Sequence, residues 1–236
     1  MKIAIMQPYV FPYIGYFQLI KAVDTFVFYD DVNYIKGGWI NRNNILVNSK
    51  SYMFTISLEK PSSYTLISET KINEMLLKKN VSKLIKTIEQ SYKKAPFFET
   101  VFPLIRNFLL SYNNNSISSL AIDSVILISN YLKLETEFRI SSKNYSSTKS
   151  LEKTQRIIEI CRIEEAKYYI NPIRGIKLYN EVDFFQNNLE LYFIKSEPIY
   201  YKQFDNEFID RLSILDVIMF NSIEATQLLL SKFKLI

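Results

Sequence analysis

MKIAIMQPYVFPYIGYFQLIKAVDTFVFYDD, residues 1–31, decides the fold. The apolar run over residues 2–6 stops before Pro8, and from Ile14 to Val23 the apolar residues Ile14, Phe17 and Ile20 recur at helical spacing. Residues 25–30, TFVFYD, then return as a strand of β-branched and aromatic types. This is a strand, loop, helix, strand unit, and a right-handed crossover makes its two strands parallel neighbours. Working outward, residues 51–58 and 66–72 read as extended, and 81–93, 98–112 and 118–132 as helical. Extended segments at 138–141, 167–170 and 189–195 alternate with helical ones at 151–162 and 178–187, and the last 25 or so residues have helical spacing. The alternation predicts an α/β fold: a mostly parallel sheet flanked by helices, with an added helical block around 95–135, in one domain spanning 1–236.

Composition excludes much. The 236 residues contain no histidine and a single cysteine, Cys161. A serine or cysteine nucleophile with a histidine base, a histidine-ligated zinc and a two-histidine iron site are all ruled out. Cys161, among Ile157, Ile158 and Ile160, reads as a buried thiol. No metal site is expected, and the residues do not specify a cofactor. The apolar start is broken by Gln7, Pro8 and Pro12, which suits neither a signal peptide nor a membrane-spanning helix, so the expectation is a cytoplasmic protein without an integral membrane segment.

The net charge of +5 is unevenly placed: residues 1–100 hold 13 Lys and Arg against 8 Asp and Glu, and the remainder is balanced. Much of the excess falls in one segment, where Lys71, Lys78, Lys79, Lys83, Lys86, Lys93 and Lys94 face Glu74 and Glu89. With Asn80 as N-cap, Val81, Leu84, Ile85, Ile88 and Tyr92 form a helical stripe and the lysines a solvated face. Without interleaved aromatics or a known module, nucleic acid is not the expected partner. A small molecule is; oligomeric state is not specified.

In open α/β sheets ligands bind beyond the carboxyl ends of the strands. After the first strand come Gln7, Tyr9 and Tyr13, then Gly15 where a helix begins, a place whose free amides suit an anion. After the second come Asp30, Asp31 and Asn33, then Lys36, Trp39, Asn41, Arg42 and Asn43. A carboxylate at a strand end suits a sugar hydroxyl or an amine, while Lys36 and Arg42 suit phosphate or carboxylate. The competing reading is a surface hairpin turning at Gly37-Gly38. Arg174, beside Gly175 after a later strand, adds another anion contact. Ser213 and Asp216, three apart, read first as helix capping.

Met6-Gln7-Pro8-Tyr9, Pro12-Tyr13-Ile14-Gly15-Tyr16-Phe17, Asp30-Asp31-Val32-Asn33-Tyr34, Trp39-Ile40-Asn41-Arg42-Asn43, Tyr92-Lys93-Lys94-Ala95-Pro96-Phe97-Phe98 and Leu212-Ser213-Ile214-Leu215-Asp216 occur in that order. Together they resemble the WbqC-like family over residues 1 to about 225. The resemblance implies a role in bacterial surface polysaccharide synthesis, notably the O-antigen of lipopolysaccharide, as a transferase that moves glycine or another acyl group to an amino sugar or its nucleotide-activated form. Asp30 and Asp31 are then the candidate catalytic groups, with Lys36, Arg42 and Arg174 on the anionic group, Asn41 and Asn43 on a carbonyl, and Tyr9 and Trp39 stacking on sugar or base. The alternatives are a non-catalytic binding or assembly protein of the same pathway and a nucleotidyltransferase. The chain departs from the family pattern at Leu84, where members often carry a histidine, at Asn221-Ser222, where the pattern has Asn-Gly, and at Asn171 to Gly175, where it has a glycine-rich turn.

Overall fold

The structure, a computed structural model, describes residues 1–204 and 207–236. The opening unit forms as the pattern predicts: β1 (Lys2–Met6), α1 (Ile14–Lys21) and β2 (Thr25–Phe28), with β1 and β2 parallel. A hairpin follows, β3 (Arg42–Val47) and β4 (Lys50–Thr55), separate from the main sheet. Three helices make the added block: α2 (Glu74–Tyr92), α3 (Phe98–Ser111) and α4 (Ile117–Tyr131). The α/β alternation then resumes through β5 (Glu137–Ile140), α5 (Ser141–Asn144), α6 (Lys153–Ile163), β6 (Tyr168–Pro172), α7 (Glu181–Phe185) and β7 (Glu190–Ser196). The last elements are α8 (Ile214–Phe220), α9 (Ile223–Leu230) and β8 (Phe233–Leu235).

The main sheet has the order β5-β2-β1-β6-β7-β8, parallel except for β8, which runs antiparallel to β7. The strand side chains alternate between two cores. Ala4, Phe26, Phe28, Ile170 and Ile194 face the larger one, with α1 to α4, α8 and α9. Ile3, Ile5, Val27, Tyr169, Leu191 and Phe193 face the smaller one, with α6 and Phe184 of α7. The chain winds from β1 to β2 over one face and returns from β5 to β6 over the other, as right-handed crossovers require when the winding direction reverses. The reversal falls between β1 and β6, the position beyond whose carboxyl ends ligands bind in open α/β sheets.

Several boundaries differ from the sequence reading. The long lysine-bearing helix begins at Glu74 and is capped by Asn73, whose side chain accepts from the Leu76 amide; Asn80 lies inside it. The turn of the hairpin is Asn48-Ser49, not Gly37-Gly38. Residues 35–38 form an isolated turn in the preceding loop, with Gly37 at φ +79°. Within 66–72 only a short 3-10 turn at Ile67–Glu69 and isolated bridges form. The C-terminal segment is not helical throughout, because its last residues pair with β7 as an edge strand. Cys161 is buried, and burial pushes its thiol up to about 12.

Asn48 and Ser49 both have positive φ (49° and 59°), the geometry of a two-residue hairpin turn that favours Asn-Gly. Ser49→Gly should therefore raise stability by about 0.5 kcal/mol, and Ser49→Val lower it by more, as read from paired calorimetric melts.

Candidate functional site

The loop leaving β1, residues 7–13, is held by three segments remote in sequence. Val10 N donates to Ile40 O (3.0 Å), so the loops after β1 and β2 converge as the sequence predicts. The Asn43 amide donates to Phe11 O (2.7 Å), Ser213 Oγ donates to the same carbonyl (2.7 Å), and Ser124 Oγ accepts from Phe11 N. Ile214 N donates to Pro12 O, which brings residues 211–214 alongside. Phe11 has φ +44°, a strained conformation for a bulky residue that persists because these bonds over-determine it.

The candidate site beside this frame is the carboxyl edge of the sheet between β1 and β6, where an open α/β sheet forms its crevice. On the β1 side, Tyr16 Oη donates to Gln7 O (2.8 Å), and the Tyr9 and Tyr16 rings lie 5.7 Å apart. Tyr13 lies flat over Gly15, where an added Cβ would come within 2.4 Å of its ring. Gly15 thus makes room for Tyr13 itself. On the β6 side, Gly175 makes room for the Asn171 amide, which would stand 1.9 Å from a Cβ. Arg174 follows Asn171 in sequence, and Arg211, at φ +57° on the C-terminal strap, is ion-paired with the adjacent Asp210 (3.2 Å); the charge of both arginines acts on the Tyr13 phenol. Although Tyr13 is 43% exposed, surrounding protein desolvates its phenol enough to raise the pKa, while the charges of Arg174 and Arg211 pull it down. Tyr9 is pushed up to about 12 by burial and by Tyr13. Arg174 and Arg211 are both exposed, so this edge of the sheet carries two guanidinium groups, one of them beside the Asp210 carboxylate, near phenol and amide groups.

Asp30 and Asp31, at the end of β2, are 3% and 6% exposed. The Asp30 carboxylate accepts from Ser118 Oγ, Ser142 N and Ser142 Oγ, and Ser141 Oγ bridges it to Asp31. The other Asp31 oxygen takes an ion pair from Arg156, itself 5% exposed, whose guanidinium also lies 4.9 Å from the centre of the Tyr29 ring. Both carboxylates are therefore engaged by protein donors from α4, α5 and α6.

The loop after β2 divides the remaining candidates. Asn33, Lys36 and Trp39 are exposed. Arg42 donates from Nε to Gly38 O (2.8 Å) and lies 5.9 Å from the centre of the Trp39 ring. Asn41 is buried between Tyr34 Oη, which donates to it, and Ile56 O, to which it donates. Asn41 and Asn43 are thus committed to backbone and side-chain partners, and Ser213 caps α8 by accepting from Leu215 N. Asp216 does not join that cap: wholly buried, it accepts from Tyr92 Oη (2.8 Å), Tyr201 Oη (2.6 Å) and Gln203 Nε2 (2.6 Å).

Among the described residues, no group of three or more His, Cys, Asp or Glu side chains is placed to hold a metal ion, and no helix is long and apolar enough to cross a membrane. A cleft of about 710 Å3 opens at the opposite edge, by the amino ends of β2 and β5, and is lined by charges of both signs including Lys21, Asp24, Glu137 and Arg139. Of the three cations that line it, Lys21 is engaged on Gln227 O and Ser231 Oγ and Arg139 on Glu137, and Lys133 is the third. The crevice at the carboxyl edge is the better candidate.

An open, mostly parallel sheet with its winding reversal beside the first strand defines a doubly wound α/β protein, a class in which such a reversal is the candidate place for a ligand. Within that class, the chain belongs to the WbqC-like protein family, whose pattern it matches over residues 7–228. It is similar to the uncharacterized protein Rv1507c of Mycobacterium tuberculosis, with 26% identity over 220 residues, 92% of each chain. No solved structure matches it.

Arg156→Met leaves a buried carboxylate unpaired and should cost about 3–5 kcal/mol in urea unfolding; adding Asp31→Asn should restore part of that loss. Asp216 supplies a pH signature. Burial raises its carboxyl pKa, against the opposing pull of its bonds from Tyr201, Gln203 and Tyr92. A raised folded-state pKa means that the native state holds the proton more tightly than the unfolded chain, so the stability Asp216 contributes is fully present at low pH and is lost as pH rises through the folded pKa. Relative to Asp216→Asn, the unsubstituted chain should lose stability as pH climbs above the ordinary carboxylate value of about 4, measured by urea midpoints across a pH series.

Proposed function

We propose that the chain transfers an aminoacyl or other acyl group to the amine of an amino sugar, presented as its nucleotide-activated form, in bacterial surface polysaccharide synthesis. The observation that most supports this reading is the presence of Arg174 and Arg211, both exposed, near enough to Tyr13 at the winding reversal for their charge to act on its phenol. Two guanidinium groups suit a diphosphate, and phenol and amide donors beside them suit sugar hydroxyls. Lys36 and Trp39, on the neighbouring exposed loop, extend the contact to base or sugar.

The chain has no imidazole, and its thiol is buried, so the attacking nucleophile is the sugar amine itself. Its lone pair forms the new C–N bond, the bond from the acyl carbon to the donor's leaving group breaks, and the amine proton passes to that leaving group. The protein's share is positioning and neutralisation of negative charge. Asp30 and Asp31 act in this reading by fixing the strand end through Ser118, Ser141, Ser142 and Arg156. That same engagement favours a second reading, a non-catalytic carrier of the sugar nucleotide, because neither carboxylate is left as a base.

Purified protein incubated with uridine-diphosphate amino sugars and activated glycine or acyl donors, followed by mass spectrometry, distinguishes the two. Acylated sugar nucleotide supports transfer; calorimetric binding without product supports the carrier; neither result removes both. Arg174→Ala and Arg211→Ala should each weaken sugar-nucleotide binding by roughly tenfold or more, with unchanged melting temperature.

A further inference from the structure

The two asparagines that the sequence offers for a carbonyl, Asn41 and Asn43, are spent on Ile56 O and Phe11 O. Asn171, at the carboxyl end of β6, is not. The residue is 6% exposed and its Oδ1 accepts from Tyr169 Oη (3.4 Å), yet its Nδ2 donates to no described residue. Nor is that nitrogen shut off from solvent, as the equally unpartnered Asn80 Nδ2 inside α2 is. Asn171 also lies past the last pair of the ladder between β1 and β6, which joins Lys2 to Tyr168 and Ile3 to Tyr169 although β1 runs on to Met6. A buried side chain thus brings an accessible, unused N–H to the winding reversal, where an open α/β sheet takes its ligand.

The surroundings fix which end of the amide is free. Tyr169 Oη stands 3.4 Å from Tyr179 Oη as well as from Asn171 Oδ1, and burial raises the pKa of both phenols. Tyr169 therefore keeps a proton to give to Oδ1, which sets the amide oxygen against the tyrosine and leaves the nitrogen for a ligand. Gly175 supplies the space, because a Cβ there would stand 1.9 Å from Nδ2. Arg174, the residue before it, is exposed and near enough to Tyr13 for its charge to act on that phenol.

What this N–H takes follows from its chemistry. A hydroxyl group wants an acceptor as well as a donor, but Asn171 Oδ1 is taken, and Asp30 and Asp31 already accept from serines and Arg156. A phosphate is better matched by the Arg174 guanidinium. A carbonyl oxygen accepts without donating, and being neutral it suits a neutral amide donor. We propose that Asn171 reads the N-acyl carbonyl of an amino sugar: Nδ2 donates to the acyl oxygen while Arg174 takes the diphosphate. This rests on the sugar-nucleotide reading above and adds to it that the N-acylated sugar is the tighter ligand.

The test is titration calorimetry on the full chain with uridine-diphosphate N-acetylglucosamine and uridine-diphosphate glucose, which differ only by an acetamido group or a hydroxyl on one sugar carbon. The acetylated nucleotide should bind about fivefold tighter or more, as one added hydrogen bond allows. Asn171→Asp, which keeps the shape and removes the N–H, and Gly175→Ala, which displaces the amide, should each bring the two affinities within about twofold. Arg174→Ala should weaken both nucleotides alike and leave their ratio. Gly175 has no positive φ, so its alanine variant stays informative if Asn171→Asp does not fold. Binding of neither nucleotide removes the sugar-nucleotide reading and this proposal with it. Binding of both without the preference, or a preference that the Asn171 and Gly175 variants leave intact, would overturn this proposal alone.

Discussion

Two adjacent carboxylates are set at the carboxyl end of a strand buried along its whole length, and the structure is organised around satisfying them. A buried charge without partners is costly, so Asp30 and Asp31 need donors, and these come from elements the chain reaches only later. Ser118 belongs to α4, on the side of the larger core; Ser141 and Ser142 begin α5, directly after β5; Arg156 belongs to α6, against the smaller core. One strand end thereby ties together both helical layers and the neighbouring strand. The loop over residues 31–41 departs from that fixed point, which gives Trp39 and Lys36 a rigid origin.

The second constraint is backbone strain at Phe11. A left-handed conformation at a non-glycine residue costs about 1–3 kcal/mol and survives only under several simultaneous bonds. Here Asn43, Ser124 and Ser213 supply them, from the hairpin, the helical block and the C-terminal strap. The strap is held in turn by Gln203, which brackets Ile209 through both its amide atoms while it donates to Asp216. Arg211 follows in the same strap, and the bonds of Ser213 and Ile214 to the loop after β1 bring its charge near Tyr13. The crevice thus depends on parts of the molecule separated by some 200 residues, which fits a site assembled late in folding.

That dependence explains what the sequence does and does not disclose. β1, α1 and β2 are legible because their side-chain periods are local, and the sheet edge bearing the ligand loops follows from the alternation. Tyr9, Tyr13 and Arg174 are found by position after a strand. Arg211 is not, because it lies in an aperiodic polar stretch and gains its place through the bonds of Ser213 and Ile214 to the loop after β1. The hairpin turn carries Asn-Ser, without the glycine that signals a positive-φ turn, so Gly37-Gly38 draws attention instead. Asn41 and Asn43 look like ligand donors in sequence, yet their partners are Ile56 O and Phe11 O, 15 and 32 residues away. β8 is invisible for a different reason: three residues become a strand only because β7 offers an unpaired edge.

The missing histidines gain physical content from the tyrosines. Around the crevice Tyr9, Tyr13, Tyr16 and Tyr29 all have phenol pKa values raised by burial, despite nearby arginines at Tyr13 and Tyr29. At neutral pH such phenols keep their protons and act as donors. Cys161 is likewise held as a thiol, away from the crevice in the smaller core. With Asp30 and Asp31 already accepting from protein groups, the crevice offers guanidinium, phenol and amide donors and almost nothing that takes up a proton. Such a surface can stabilise negative charge on a phosphate or on a carbonyl oxygen as it becomes an oxyanion, and it must leave proton removal to the reactants. The proposed transfer is consistent with both conditions, because its substrate brings its own basic amine and its own anionic handle.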